Sequence, residues 1–190
     1  MPTLDLASVE AMGFASIGEN VKISTLASFY GCARISIGNN VRIDDFSVFS
    51  AGVGGIVIGS NVHVAVYSSF IGANKITLSD FSNISSRVSI YSSSDDYSGT
   101  TMTNPTVPDQ FKAVENADVY VGRHVIIGCG SIILPGTRLQ DGVAIGALSL
   151  VQDDCPAFGI YAGIPAKRIK ERKRDLLEIE KTYLADRSQA

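Results

Sequence analysis

The chain has 190 residues, of which 45% are hydrophobic and 18% charged, with a formal net charge of −3 and a pI near 5.3. That length predicts one domain, the acidic balance argues against a general nucleic-acid binder, and the apolar runs are far shorter than the roughly 18 residues that would mark a membrane span. The three cysteines, Cys32, Cys129 and Cys155, lack metal-ligand spacing and cannot all pair, so no metal is expected and reduced thiols in a cytoplasmic protein are the simplest reading.

Residues 1–16 lack the basic start and apolar centre of a signal peptide. Within them, Asp5 to Phe14 predicts a short amphipathic helix with Leu6, Val9 and Met12 on one face and Gly13 as its stop. It would cap the open first edge of the next element.

That element is a repeat. From Ile17 to Asn83 a six-residue phrase recurs, and three phrases plus a short insert make units that begin at Ile17, Ile37, Ile58 and Leu78, spaced 20, 21 and 20 residues apart. The first positions are Ile17, Ile23, Phe29; Ile37, Ile43, Phe49; Ile58, Val64, Phe70; Leu78, Ile84, Ile90; then Val121, Ile127, Ile133 and Leu139, Ile145, Val151. All are aliphatic or Phe, and the fifth position is mostly small. A hexad supplies about 20 Å of extended chain at roughly 3.3 Å per residue. Three per turn predict a triangular coil with first positions inward, small residues where the chain turns, and Gly and Asn after the leading Ile supplying the corners. About six stacked coils over 17–155 would fill one continuous apolar core.

Two stretches interrupt the period. Ala51–Gly55 (AGVGG) carries one extra residue; without a helix start beside it, an enlarged corner is a better reading than a phosphate cradle. Tyr91–Asp118 is polar and has no six-residue period, after which the register resumes. A loop of that length in a compact domain is uncommon unless functional, so 91–118 is predicted as an excursion able to reach a neighbouring surface. The closing segment, 156–190, reads as a turn at Gly163–Ile169 feeding a basic, amphipathic helix with Ile169, Leu176 and Tyr183 on its apolar stripe. Six of the eight residues from Lys167 to Arg174 are basic, which points to an anionic partner, the alternative being a solvated helix face.

The I-G-x-x-V hexads, the long loop in the fourth coil, the IIGCGSIILPG stretch and the closing AGIPAKRIKE resemble the hexapeptide-repeat acyltransferases, and within them the galactoside O-acetyltransferase type of bacterial sugar acetyltransferase. The resemblance covers roughly residues 5–175. It implies a left-handed parallel β-helix, a homotrimer with active sites between subunits, and acetyl-CoA as donor to a hydroxyl or amine of a sugar or nucleotide-linked sugar, in surface polysaccharide biosynthesis. Such a transfer needs a base for the acceptor's proton. In the family a histidine of the excursion loop serves, and the matching position here is Asp95. His63, at the sixth position of its hexad, is then the leading candidate for general base, with Asp95 or Asp96 orienting its ring or binding the acceptor. His124 is a second, weaker candidate for the base and otherwise a surface residue; Asp95 could itself act as base only with its pKa raised well above the usual value of about 4, and Asp95 with Asp96 also read as an ordinary polar turn. The resemblance carries coenzyme contacts to Cys129, Ala147, Gln152, Gly163, Lys167 and Lys170, and where the family often has Trp this chain has Ile126. Two other functions compete with this one: a zinc carbonic anhydrase on the same prism, for which two histidines are too few, and an inactive trimeric scaffold.

Overall fold

The computed structural model describes residues 1–187; residues 188–190 of the expected C-terminal segment lie outside the described residues. Three parallel sheets form the faces of a solenoid. The first face stacks Ser16–Ile17, Ile35–Ile37, Ile56–Ile58, Ile76–Leu78, Val119–Val121 and Arg138–Leu139. The second stacks Lys22–Ile23, Arg42–Ile43, His63–Val64, Asn83–Ile84, Ile126–Ile127 and Ala144–Ile145, then Gly159–Gly163 and the antiparallel Ala166–Glu171. The third stacks Ser28–Tyr30, Val48–Ala51, Ser69–Gly72, Ser89–Tyr91, Ile132–Ile133 and Leu150–Val151.

Register follows the hexad period, with Ile37 opposite Ile58, Ile84 opposite Ile127 and Phe49 opposite Phe70. Sixteen of the eighteen first positions are buried; Ile17 and Phe29, both in the first coil, are partly covered. On the third face Phe29, Phe49 and Phe70 stack at centroid separations of 4.9 and 4.6 Å, with Phe14 edge-on to Phe29 at 5.2 Å. Burying each such ring contributes roughly 1.5–3 kcal/mol.

The winding continues beyond the six coils expected. Leu139 bridges Cys155 and Ile145 pairs with Tyr161, so CPAFGI opens a seventh turn. Cys155 and Tyr161 occupy its inward positions and are buried, although neither is aliphatic. Burial pushes the Cys155 thiol up to about 11, with Asp154 and Asp153 adding to it.

The corners also differ from expectation. At the first two corners the left-handed conformation falls on the fourth hexad position even where a bulky residue stands there, Leu26 being an exception: Asn20, Asn40, Phe46, Asn61, Tyr67, Phe81, Arg87, His124, Leu148 and Phe158 all have φ between 53° and 61°. For a bulky residue this backbone is costly. It aims each amide at the preceding coil, as where the Tyr67 amide donates to the Asp45 carbonyl (3.1 Å) and that of His124 to Asp80 (3.1 Å). The second-position glycine has another role. A Cβ on Gly38 would lie 2.7 Å from the Gly59 carbonyl, so close stacking of the coils requires its absence.

The first edge is covered by helix α1 (Leu6–Ala11), shorter than the helix expected over Asp5–Phe14, with Asp5 accepting from the Ser8 amide (2.8 Å). Val9 alone of its residues is buried, and the Leu4 amide adds to the second face by donating to Ile23 (2.8 Å).

The closing segment corrects the sequence reading. Gly163–Ile169 is not a turn into a helix. Gly159–Gly163 and Ala166–Glu171 form an antiparallel hairpin, so Ile169 lies on a strand, and helix α2 begins only at Leu176, running to Arg187. Arg172 bolts the segment down, its Nη1 donating to the carbonyls of His124 (2.7 Å) and Gly142 (3.0 Å). Helix α2 lies on the first corner column: His124 Nε2 meets Glu180 at 2.7 Å, Arg123 bridges Asp80 and Glu180, and the Tyr183 hydroxyl donates to Asn61 (3.1 Å). Part of the basic run is engaged by the chain's own surface, since Arg168 and Arg174 form exposed pairs with Glu171 and Arg174 covers the Phe158 ring.

Candidate active site

The excursion leaves from the third corner, where the inserts of the first coils also sit. Arg34 holds that corner by donating to the Ala51 and Gly52 carbonyls, and the Gly52 and Gly54 amides donate to the coil above. The neck of the loop is a two-residue antiparallel pairing, Ser93 with Asn116 and Ser94 with Glu115. Ser92, buried beneath it, donates to the Asn74 carbonyl (2.7 Å), and the Ser93 hydroxyl donates to Asn116 (2.6 Å) while accepting from the Ala73 amide (2.7 Å).

Beyond the neck the two aspartates part company. Asp96 accepts five hydrogen bonds: from the amide and hydroxyl of Ser98 (2.7 and 2.6 Å), the hydroxyl of Thr100 (2.8 Å), and the amide and hydroxyl of Thr101 (2.9 and 3.0 Å). The Ser98 hydroxyl first, and the other donors with it, hold its carboxyl well below the usual range. Asp96 therefore ties the loop to itself. Asp95 is exposed, and its carboxylate has no hydrogen-bond partner among the described residues. Both line a cleft of about 490 Å³ together with Ser94, Tyr97, Val114 and Glu115.

His63 lies elsewhere. It opens its strand on the second face, with Arg42 and Asn83 beside it in register, and does not line the loop cleft. Its Nε2 meets Asp44 Oδ2 at 2.9 Å, and Arg42 Nε donates to Asp44 Oδ1 at 2.6 Å. Burial of Asp44 works against its charge, but these two partners prevail and its carboxyl is held low. Within one protomer nothing brings His63 to Asp95 or Asp96. Asp44 is the partner that sequence reasoning missed; its signal is positional, since the second position of one hexad and the sixth of a hexad one coil on share a face.

His124 is a packing residue. It stacks on Phe81 (5.0 Å), and burial first, with the charges of Arg123 and Arg172, lowers its pKa. The neutral ring donates from Nε2 to Glu180.

The residues expected to hold the coenzyme fall in the last coils. The Leu148 amide donates to the Cys129 carbonyl (2.9 Å), which sets Cys129 and Ala147 one coil apart on the second corner, both exposed. The Gly163 amide donates to Ser149 Oγ (3.2 Å), bringing the hairpin tip beside the same corner. Gln152 is exposed past the end of the third face. Lys167 faces Asp153 at 3.8 Å, beside a small cleft with Asp154 and Arg168, and Lys170 is exposed on the outer hairpin strand. Among the described residues no group of three or more His, Cys, Asp or Glu is placed to hold a metal ion. No helix there is long and apolar enough to cross a membrane.

Comparison with known proteins then places the chain. It is 60% identical over 183 residues to a dTDP-4-amino-4,6-dideoxy-D-glucose acyltransferase from Escherichia coli, covering 96% of this chain and 95% of the relative. The chain belongs to the hexapeptide-repeat acyltransferases. AntD, an N-acyltransferase from Bacillus cereus solved with dTDP and 3-hydroxybutyryl-CoA, is 42% identical with a TM-score of 0.94, the match covering 99% of this chain and all of that one. A serine variant of AntD, solved with dTDP-4-amino-4,6-dideoxyglucose and coenzyme A, matches with a TM-score of 0.93 over 97% of this chain and 98% of that one. No family model matches the chain. As an acyltransferase of this family it is an enzyme with coenzyme A as its donor carrier, and its sugar acceptor is nucleotide-linked.

Proposed function

We propose that the enzyme transfers an acetyl group from acetyl-CoA to the 4-amino group of dTDP-4-amino-4,6-dideoxyglucose, in the cytoplasm and in the service of surface polysaccharide. The observation that carries this reading is the 60% identity, end to end, with an acyltransferase of that acceptor. The amine nitrogen attacks the thioester carbonyl, the nitrogen's proton goes to a base, and the coenzyme leaves as thiolate and takes up a proton. We assign the base to Asp95. It stands at the loop position where the family resemblance expects the base, and it is exposed at a cleft mouth with its carboxylate uncommitted among the described residues. Solved variants of AntD, moreover, are substituted at an aspartate or a serine. His63, the base expected from sequence, is a weaker candidate because Asp44 already engages its Nε2.

Coenzyme A would run along the second corner past Cys129 and Ala147 to Gly163, with Gln152, Lys167 and Lys170 at its phosphate-bearing end. Cationic Lys167 is shared with Asp153, so it would reorient to reach a phosphate. A homotrimer would complete the site. The outer surface of the third face supports this, since Tyr30, Ile71 and Ile132 are exposed where a solvated sheet would carry polar residues.

The test is product analysis by mass spectrometry with acetyl-CoA and a panel of dTDP-amino and dTDP-hydroxy sugars, with the enzyme's mass in solution measured by light scattering. N-acetylation confined to the 4-amino sugar, by a trimer, is the expected result. Product only with a hydroxyl acceptor would overturn the amine assignment. Coenzyme binding with no turnover on any sugar would favour the inactive scaffold.

A further inference from the structure

Glu115 shares the loop cleft with Asp95. The excursion leaves the prism through Ser93–Ser94 and returns through Glu115–Asn116, and the pairing of Ser94 with Glu115 fixes the backbone of both. Cross-strand partners have Cβ atoms about 4.5–5.5 Å apart, so the Glu115 side chain leaves the neck beside Ser94, one residue before Asp95. Asn116 anchors the returning strand, accepting from the Ser93 hydroxyl (2.6 Å) and donating to the Val114 carbonyl (3.2 Å). The Glu115 carboxylate takes no part in that anchoring: it is exposed and has no hydrogen-bond partner among the described residues. The titratable groups that line the cleft with it are Asp95, Asp96 and Tyr97; among the described residues no lysine or arginine lines it. Lys112, three residues before Glu115, pairs with Asp109 (3.0 Å). Asp96 is saturated by Ser98, Thr100 and Thr101. Asp95 and Glu115 are therefore the two lining carboxylates open to a ligand.

We infer that Glu115 holds the acceptor's amine as its ammonium form beside Asp95, and so makes the enzyme select an amine over a hydroxyl. The inference rests on the 4-amino-sugar reading above and adds what selects the nitrogen. A nucleotide-linked sugar is anionic through its diphosphate, and a cleft lined by carboxylates repels it unless the end that enters is cationic. An amine supplies that charge. Close to sugar oxygens it resembles an α-amino group, which titrates at about 7.7–8.0, so at neutral pH it is mostly ammonium. A hydroxyl is neutral and gains nothing from the same field. Ammonium has no lone pair with which to attack, so the nitrogen must change state in the cleft. One proton leaves it for water. The second passes to Asp95 as the C–N bond forms, and from Asp95 to the departing thiolate as the C–S bond breaks. One carboxylate alone would have to hold the cation and accept the proton; with Glu115 holding, Asp95 stays free to accept. Glu115 is thus a binding residue that sets specificity, and Asp95 remains the base.

The test is steady-state transfer from acetyl-CoA to dTDP-4-amino-4,6-dideoxyglucose by wild type, Glu115→Gln and Glu115→Asp, at about pH 6 and about pH 9, on either side of the amine's titration. The matching sugar with a hydroxyl in place of the amine serves as a competitive inhibitor. Loss of one charge-assisted contact at a solvent-open site predicts a KM about three- to tenfold higher for Glu115→Gln at the lower pH, with kcat within about a factor of two. At the higher pH, where the amine is neutral, the two enzymes should share one KM. Glu115→Asp keeps the charge and should lie between them. The hydroxy sugar should inhibit all three equally, and coenzyme A affinity and melting temperature should not move. A KM raised by the same factor at both pH values would mark a deformed neck and overturn the inference. So would a KM unchanged at both, with wild-type turnover on the amine leaving the 4-amino-sugar reading intact. Wild type that acetylates the hydroxy sugar and not the amine would overturn that reading and this inference with it.

Discussion

In the prism, Phe49 and Phe70 stack at 4.6 Å without exposure to solvent, whereas in the excursion one carboxylate, that of Asp96, gathers the donors of Ser98, Thr100 and Thr101. The first arrangement runs through the first three coils, and aliphatic residues such as Ile90 and Ile133 continue its column. The second occurs once and orders a loop with no apolar core of its own. The two regions divide the labour. Repetition supplies a stiff ladder of known spacing, and the interruption of that ladder carries the chemistry. Asp95 illustrates it: its neighbour Asp96 bears the cost of ordering the loop and leaves Asp95 at the cleft mouth.

Four changes probe that division. The largest effect falls on the prism: Phe70→Ala should destabilise the fold by roughly 3–5 kcal/mol by opening a cavity between stacked coils, read as a loss in chemical denaturation. A milder effect is expected from Gly38→Ala, whose new Cβ meets the Gly59 carbonyl at 2.7 Å. Overpacking there should cost about 1–3 kcal/mol, with the denaturation midpoint lowered and the coenzyme still bound. The loop should respond the other way round. Asp96→Ala removes the acceptor of five hydrogen bonds and should lower acyl transfer on the order of tenfold, since misplacing a catalytic group costs rate. The prism's melting temperature should barely move, while limited proteolysis should now cut within 91–118. If the whole fold melted instead, loop and prism would not be separable.

The smallest effect concerns pH. The pKa of His124 is lowered by burial and by Arg123 and Arg172, against Asp141, with Glu180 accepting from the neutral ring. A depressed folded-state value means its contribution is present above the unfolded value, about 6.5, and is lost as pH falls through the folded value. Melting temperature should therefore decline as pH drops below about 6.5, and His124→Gln should flatten that decline. A profile unchanged by the substitution would remove His124 as its cause.

Much of the fold was legible because the signal is periodic. First positions such as Ile43, Ile84 and Ile127 must be apolar wherever three strands close on one core, and they are buried as that pattern requires. The seventh turn was missed because Cys155 and Tyr161 stand where Ile or Val usually does. The corners were misread because the left-handed position is held by Phe46, Tyr67, Arg87 and Leu148, residues that carry no turn signal of their own. The closing hairpin was hidden by the basic run, since Lys and Arg are good helix formers and nothing local announces that Arg172 will reach the His124 and Gly142 carbonyls. At the site, the excursion was visible as a break in period and Asp95 as a departure from a family pattern. The bond from His63 to Asp44 was not visible, because it joins residues one coil apart and depends on side-chain direction rather than spacing.

The most direct measurement sets Asp95→Asn beside His63→Gln in steady-state transfer from acetyl-CoA to dTDP-4-amino-4,6-dideoxyglucose, at saturating acceptor. With Asp95 as the base, kcat should fall by about 10²–10⁴ in Asp95→Asn, with coenzyme binding intact, and stay within a few-fold of wild type in His63→Gln once acceptor saturates. The reverse pattern, with His63→Gln nearly inactive and Asp95→Asn close to wild type, would contradict that assignment and move the base to the second face.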